Sequence, residues 1–251
     1  MKCCDIRKSL EFSLKFIVFI TLFILVFVLL SFRQLPKGPS PCLQDVACFD
    51  TAFFKKGKVI IDPGHGGADG GAVSEKGDKE KDFCLEYSLT LGAYLQSMGY
   101  EVLYTRDSDV MLESTGASTK KGADLKARVK LAKENPDAVF VSIHMNKFPQ
   151  TKYSGLQVFY SKNDYRSELV ATLIQNRICK DLQPQNTRSV KAAGGDIFVL
   201  DRILSPAILI ECGFLSNENE LLLLKSEEYQ KQMCFVIAHA LDASSRDLFK
   251  S

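Results

Sequence analysis

Residues 58–67 read Lys-Val-Ile-Ile-Asp-Pro-Gly-His-Gly-Gly, a short apolar run that ends in a glycine-rich loop. Residues 81–98 (KDFCLEYSLTLGAYLQSM) then place apolar side chains at helical spacing, and Gly99 ends that pattern. Residues 138–143 (AVFVSI) and 207–210 (AILI) are again short apolar runs. Short buried strands that alternate with amphipathic helices are typical of an α/β fold.

This alternation predicts a single domain with a mixed, largely parallel twisted sheet of about six strands and helices on both faces. We predict strands at residues 59–61, 101–104, 138–143, 155–160, 197–200 and 207–210. We predict helices at residues 81–98, 167–182 and 227–248, and another that begins with Asp124 as its N-cap. Residues 113–123 lack hydrophobic periodicity, so we expect an exposed loop long enough to overhang a site.

An N-terminal run of 17 uncharged residues, 16–32, precedes the domain. As a helix this run would reach about 26 Å, close to the ~30 Å hydrocarbon core of a bilayer. Basic residues exceed acidic ones in residues 1–15, and no small-x-small cleavage site follows the run. We therefore expect an uncleaved signal anchor with a cytoplasmic N-terminus, rather than a cleaved signal peptide. Residues 33–54 would form a linker and residues 55–251 the exported domain.

The composition is that of a folded protein, with 46% hydrophobic and 25% charged residues in 251. The formal net charge is +2, and the first 50 residues hold six basic and four acidic side chains, so the remainder is balanced. This balance argues against a nucleic-acid-binding protein. The cysteines of the domain have no CxxC spacing, which disfavours a cysteine zinc site. Export would permit a bridge between Cys42 and Cys48.

Three polar residues stand at the ends of predicted strands. His65 follows the first strand, His144 follows residues 138–143, and Glu211 follows residues 207–210. In an open α/β sheet, ligands bind at the edge where the carboxyl ends of the strands meet. Each of these residues alone is more often structural, but their equivalent positions together support a metal site as well as they support separate structural roles.

Two histidines and one glutamate are a known zinc ligand set that leaves a fourth position for water. The third ligand should be an acid on the loop or helix after His65, and spacing leaves open Asp69, Glu75, Asp78, Glu80 and Asp82. His239 lies inside the last predicted helix and is expected to be structural. The sequence has no G-x-S-x-G elbow and no phosphate-binding loop.

Four separate stretches carry a resemblance to a known family. They are residues 59–67 (VIIDPGHGG), 80–82 (EKD), 142–146 (SIHMN) and 209–217 (LIECGFLSN). In order and spacing they resemble the zinc-dependent N-acetylmuramoyl-L-alanine amidases of the amidase 3 family. The resemblance covers about residues 57–247. Lys147 departs from it, since a small residue is usual there.

The resemblance implies that His65, Glu80 and His144 bind Zn²⁺ and that Glu211 is the catalytic glutamate. The implied reaction cleaves the amide between the lactyl group of N-acetylmuramic acid and L-alanine in peptidoglycan. Two alternatives are a zinc peptidase acting within the stem peptide and a catalytically silent wall-binding module.

A membrane anchor followed by one amidase domain is similar to the germination-specific members of the family in spore formers. That similarity implies a role in making muramic-δ-lactam in spore cortex. The catalytic domain would then lie on the extracytoplasmic side of the membrane, in the space between the two forespore membranes. Its activity would need restraint, for which a membrane-associated regulatory protein is a candidate.

Overall fold

A six-stranded mixed sheet occupies the part of the chain that the computed structural model describes, which comprises residues 56–113 and 118–249. Its order is β2-β1-β3-β6-β4-β5. β1, β2, β3 and β6 are mutually parallel, whereas β4 runs antiparallel to β6 and parallel to β5. The predicted mixed, largely parallel sheet is therefore confirmed. The strands are β1 (Lys58–Pro63), β2 (Glu101–Tyr104), β3 (Val139–Asn146), β4 (Gln157–Tyr160), β5 (Lys191–Ala192) and β6 (Ala207–Phe214).

Helices cover both faces of this sheet, as predicted. They are α1 (Glu80–Ser97), α2 (Lys120–Glu134), α3 (Arg166–Asp181), α4 (Phe198–Arg202), α5 (Glu218–Leu224), α6 (Glu227–Ala243) and α7 (Ser245–Leu248). α1, α3 and α6 contribute to one hydrophobic cluster, and α2 and α4 to a second, smaller one. Fewer helices therefore pack on the face of the sheet that forms the smaller cluster.

The alternation of side chains along β6 shows how one strand serves both clusters. Ile208, Ile210 and Cys212 belong to the larger cluster, whereas Ala207 and Leu209 belong to the smaller one. Because successive side chains of a strand point to opposite faces, Glu211 lies on the same face as Ala207 and Leu209. A glutamate at this position therefore stands on the face with the smaller cluster.

The prediction of a strand at residues 197–200 is wrong, because these residues lie in and beside the short helix α4. Val199 and Leu200 are buried in the smaller cluster, so the apolar run is a core segment in helical form. The sixth strand is instead β5, a two-residue exposed segment that pairs with Phe159 and Tyr160.

The start of α2 also differs from the prediction. Thr119 is the N-cap, and its side chain accepts a hydrogen bond from the Gly122 amide. Asp124 lies inside the helix and is not its cap. Of the predicted exposed loop 113–123, residues 120–123 form the first turn of α2, and residues 114–117 lie outside the described part of the chain.

Near the C-terminus, the predicted helix 227–248 is divided into α6 and α7 at Ser244. The short helix α5, which was not predicted, follows β6 and is capped by the Asn217 side chain.

The predicted anchor 16–32, the linker 33–54 and the pair Cys42 and Cys48 lie outside the described residues. Within residues 56–113 and 118–249, no helix is both long and apolar enough to cross a membrane.

Candidate active site

His144 and Glu211 are direct neighbours across the β3–β6 pair, near the carboxyl ends of both strands. His65 lies in the loop that follows β1, so the three polar residues meet at one edge of the sheet, as the sequence predicts. His144 and Glu211 lie inside their strands rather than after them, because β3 and β6 each extend further than predicted.

Glu80, the first residue of α1, contacts both histidines through its carboxylate group. Its Oε1 atom lies 2.9 Å from His144 Nδ1 and its Oε2 atom 3.1 Å from His65 Nε2. Oε1 also accepts a hydrogen bond from the Met145 amide, and Oε2 accepts one from the Ala72 amide. Of the five acids that spacing left open, Glu80 is the one whose carboxylate contacts both histidines in the described structure. One ligand atom from each of the three residues lies within 4.8 Å of the others.

The Glu80 carboxylate is ionised despite its burial. Burial alone would raise its pKa, but hydrogen bonds and charge interactions with His144 and His65 hold the pKa well below its usual range. The site therefore presents one ionised carboxylate and two imidazoles at contact distance, which is a donor set that suits a divalent transition metal.

The backbone around His65 is unusual and tightly packed. His65 has a φ of 58°, and no other described non-glycine residue has a positive φ. Gly64 permits the close approach of His144, since a Cβ atom on residue 64 would stand 2.3 Å from His144 Cε1. The loop thus needs both a strained histidine and a neighbour without a side chain.

Two buried arginines hold the carbonyl groups of this loop. Arg106 donates to the carbonyl oxygens of Pro63, Gly64 and Lys81 at 2.7–3.0 Å. Arg128 donates to the carbonyl oxygens of Pro63 at 2.7 Å and His65 at 2.6 Å. These bonds fix the His65 loop against the start of α1.

Arg128 is in turn neutralised by two carboxylates. It contacts Asp62 Oδ1 at 2.5 Å and Asp124 Oδ2 at 2.7 Å. Burial would raise the pKa of Asp62, but Arg128 and the hydroxyl groups of Ser142 and Thr105 lower it below its usual value. Asp124 is thus a partner of Arg128 rather than the N-cap that the sequence predicted, and the aspartate at the end of β1 is the sequence signal that could have pointed to this buried network.

Glu211 differs from Glu80 in its surroundings. Its Oε2 atom is buried and has no hydrogen-bond partner among the described residues. Burial, together with the nearby charge of Glu80, raises the pKa of Glu211 to about 7, while His144 and His65 act in the opposite direction. A carboxyl group with such a pKa can accept and release a proton near neutral pH.

Three other residues lie outside the group of His65, Glu80 and His144. His239 is exposed on α6, where its ring centroid is 4.2 Å from that of Phe235. Cys212 is fully buried in the larger cluster. Lys147 is exposed, and its Nζ atom donates to the carbonyl oxygen of Val73 at 2.6 Å.

A family model described as N-acetylmuramoyl-L-alanine amidase matches residues 59–243. The chain belongs to this amidase family. The match includes all of the residues that converge at the sheet edge, so the amidase activity and the geometry concern the same part of the molecule.

Known relatives agree with this assignment. The amidase is 41% identical over 181 residues to the germination-specific N-acetylmuramoyl-L-alanine amidase of Bacillus subtilis, covering 70% of this chain and 75% of that protein. It is also similar to the CwlD amidase of Clostridioides difficile, which was solved in complex with the GerS lipoprotein. The TM-score is 0.69, and the two chains are 35% identical over 74% of this chain and 97% of that one. It is also similar to the amidase AmiC2 of Nostoc punctiforme, with a TM-score of 0.66 and 32% identity over 76% and 98% of the two chains.

Proposed function

We propose that this amidase is zinc-dependent, that His65, Glu80 and His144 hold the zinc ion, and that Glu211 transfers the proton. The observation that carries the proposal is the convergence of Glu80 on both histidines, with Glu211 beside His144 on the next strand. The residues fit the metal, because two imidazoles and an ionised carboxylate are available and Glu211 Oε2 is buried with no hydrogen-bond partner in the described part of the chain.

When bound, zinc supplies Lewis acidity that lowers the pKa of water and polarises a carbonyl group. Glu211 accepts a proton at Oε2 from the water that attacks the lactyl carbonyl, and then releases it to the departing amine of L-alanine. Its pKa of about 7 suits both steps. Proton transfer of this kind contributes about 10²–10⁴-fold to the rate.

The protein around the site keeps these groups in position. Arg106 and Arg128 hold the backbone of the His65 loop, and the first turn of α1 carries Glu80. A site whose side chains are fixed before substrate binds loses little free energy to reorganisation during the reaction.

We further propose that the protein acts in spore cortex maturation, by removing stem peptides so that muramic-δ-lactam can form. The similarity to the germination-specific amidase of Bacillus subtilis supports this role. The residue 16–32 run supports attachment to the membrane with the catalytic domain on the extracytoplasmic side. A membrane-associated lipoprotein is the proposed partner, because the Clostridioides difficile relative was solved with one.

A digest of purified muropeptides with the full-length protein in detergent tests the proposed reaction. Mass spectrometry should detect free stem peptide and intact disaccharide, and a chelator should abolish the products until zinc is restored. Cleavage inside the peptide would indicate a zinc peptidase instead. Binding to peptidoglycan without any cleavage, in the presence of stoichiometric zinc, would indicate a silent wall-binding module.

A further inference from the structure

Aromatic and basic side chains form a ledge beside the candidate active site. We define the ledge as Phe148, Lys152, Tyr153, Arg188 and Phe214. Phe148 and Tyr153 are 44% and 38% exposed, and their ring centroids are 5.1 Å apart in an edge-to-face arrangement. Large aromatic side chains that are this exposed beside a catalytic site are candidates for contact with a ligand.

The ledge lies at the same edge of the sheet as the catalytic residues. Gln157 on β4 stands directly opposite Glu211 on β6, and its Oε1 atom accepts a hydrogen bond from Arg188 Nη1 at 3.3 Å. Phe214 ends the strand that carries Glu211. The ledge is therefore continuous with the site on its β4 side.

The loop that carries Phe148 and Tyr153 is fastened in place. The Phe148 amide donates to Ser216 Oγ at 3.1 Å, and Asn217 Nδ2 donates to the Tyr153 carbonyl oxygen at 3.3 Å. Arg188 and Tyr153 also line an open groove of about 680 Å³. The ledge thus has a fixed backbone and leaves room for a ligand along it.

The Arg188 side chain is positioned by a backbone carbonyl group and an aromatic ring rather than by a direct ion pair with a described residue. Its Nε atom donates to the Ser154 carbonyl oxygen at 2.8 Å, and its guanidinium carbon lies 4.5 Å from the centroid of the Phe214 ring. The Glu220 carboxylate is near enough for a charge interaction with Arg188 but forms no ion pair with it, and its oxygens accept hydrogen bonds from the amides of Gly155 and Phe214.

The charges on the two sides of the site are arranged differently. On the β1 side, Lys81 pairs with Asp109 and Lys121 pairs with Asp69. On the β4 side, neither Arg188 nor Lys152 forms an ion pair with any described residue, and Lys152 Nζ lies 5.5 Å from the Tyr153 ring centroid. Arg188 and Lys152 thus offer positive charge without a direct ion pair beside the exposed aromatic rings, where an anionic part of the substrate can bind.

We infer that Arg188 binds a carboxylate of the stem peptide, with Lys152 adding charge and Phe148 and Tyr153 packing against the apolar parts of the peptide. The inference rests on the proposed function, because it takes peptidoglycan as the substrate. It makes the β4 side of the site the peptide side, and it makes Arg188 a specificity-determining residue. Free carboxylates on the peptide would be required for tight binding.

Peptide binding can be measured without catalysis. The probes are a synthetic stem tetrapeptide with free carboxylates and the same peptide with its carboxylates amidated, each titrated into the full-length protein in detergent. We expect the acidic peptide to bind about tenfold more tightly, as befits a partly exposed charge-assisted pair, and the preference to shrink as salt is added. Equal affinity of the unchanged protein for the two peptides would overturn the inference without any variant.

R188Q should bring the ratio of the two dissociation constants close to one. The matched control is R202Q, because Arg202 also stacks on a phenylalanine, Phe198, but lies in α4, which precedes β6 and is remote from its carboxyl end. R202Q should keep the tenfold preference. A preference that survives in R188Q, or that is lost equally in R202Q, would contradict the assignment.

A parallel muropeptide digest separates this inference from the proposed function. Loss of the carboxylate preference in R188Q with no amide cleavage by the unchanged protein would retain the peptide site and reject the amidase mechanism. Amide cleavage together with an unaltered preference in R188Q would reject the peptide site alone.

Discussion

Replacing Arg128 with methionine should lower the free energy of unfolding by about 3–5 kcal/mol, the range found when one partner of a buried ion pair is removed. Arg128 is 2% exposed, and its guanidinium contacts Asp62 at 2.5 Å and Asp124 at 2.7 Å. Methionine fills much of the same space but leaves these carboxylates without a cation. It also leaves the His65 carbonyl oxygen without its donor, and leaves Arg106 as the donor to the Pro63 carbonyl oxygen.

The destabilisation should depend on pH in a characteristic direction. In the unchanged protein the pKa of Asp62 is lowered, so the stability it contributes is present above its unfolded pKa and is lost as pH falls through the folded value. Without Arg128, burial is the largest remaining influence and raises the pKa of Asp62. The folded variant then binds a proton more readily than the unfolded chain, so lowering the pH restores part of its stability.

Urea unfolding of the full-length protein in detergent, followed by circular dichroism, measures both effects. A chelator should be present throughout, so that altered metal binding does not contribute. The variant should be less destabilised at about pH 5 than at about pH 8. R177M is the matched control, because Arg177 pairs with Asp181 on the half-exposed surface of α3, where an ion pair contributes about 0–1 kcal/mol.

Two results would refute this reasoning. A cost below about 1 kcal/mol would mean that the buried charges are better solvated than the structure indicates. A destabilisation that grows as the pH falls would mean that Asp62 does not become protonated when Arg128 is removed.

The remaining predictions concern the metal and the membrane. H144A should lose zinc and turnover together. E211Q should keep zinc, measured by atomic absorption, and its rate should fall by about 10²–10⁴-fold. Loss of zinc in E211Q would instead make Glu211 a ligand. The full-length protein should fractionate with membranes at its full mass, with its C-terminal part open to protease added from outside; a soluble form that starts near residue 33 would contradict the predicted anchor at 16–32 and leave the catalytic proposal intact.

The sequence predicted best those parts of the fold that have a strong apolar signal. β1, β3 and β6 are buried on both faces and are therefore continuous hydrophobic runs, which short length and flanking glycine or proline mark as strands. The same rule failed at residues 197–200, because a short apolar run does not distinguish a buried strand from a buried helix. β5 was missed because its two exposed residues carry no apolar pattern.

The sequence indicated those site residues that lie at strand ends, but not those whose position depends on the packing of helices. Strand ends indicated His65, His144 and Glu211, because the ends of parallel strands meet in any sheet of this kind. Glu80 was one of several acids until the resemblance selected it, since its position depends on how α1 packs against the sheet. Asp124 was misjudged because aspartate is common at N-caps, and here its carboxylate is instead used by Arg128 and by the Leu112 amide.

The distribution of the site residues along the chain also affects when activity can first arise. The contact between His144 and Glu80 spans 64 positions, and Glu211 comes from a strand formed still later in the sequence. Parallel strands pair only after long intervening segments have been closed, so such contacts form late in folding. A chain in which β6 has not yet docked lacks Glu211 beside His144 and, on the proposed mechanism, would not hydrolyse its substrate. The order in which the strands assemble thus keeps the enzyme inactive until β6 docks, and this delay requires no inhibitory segment.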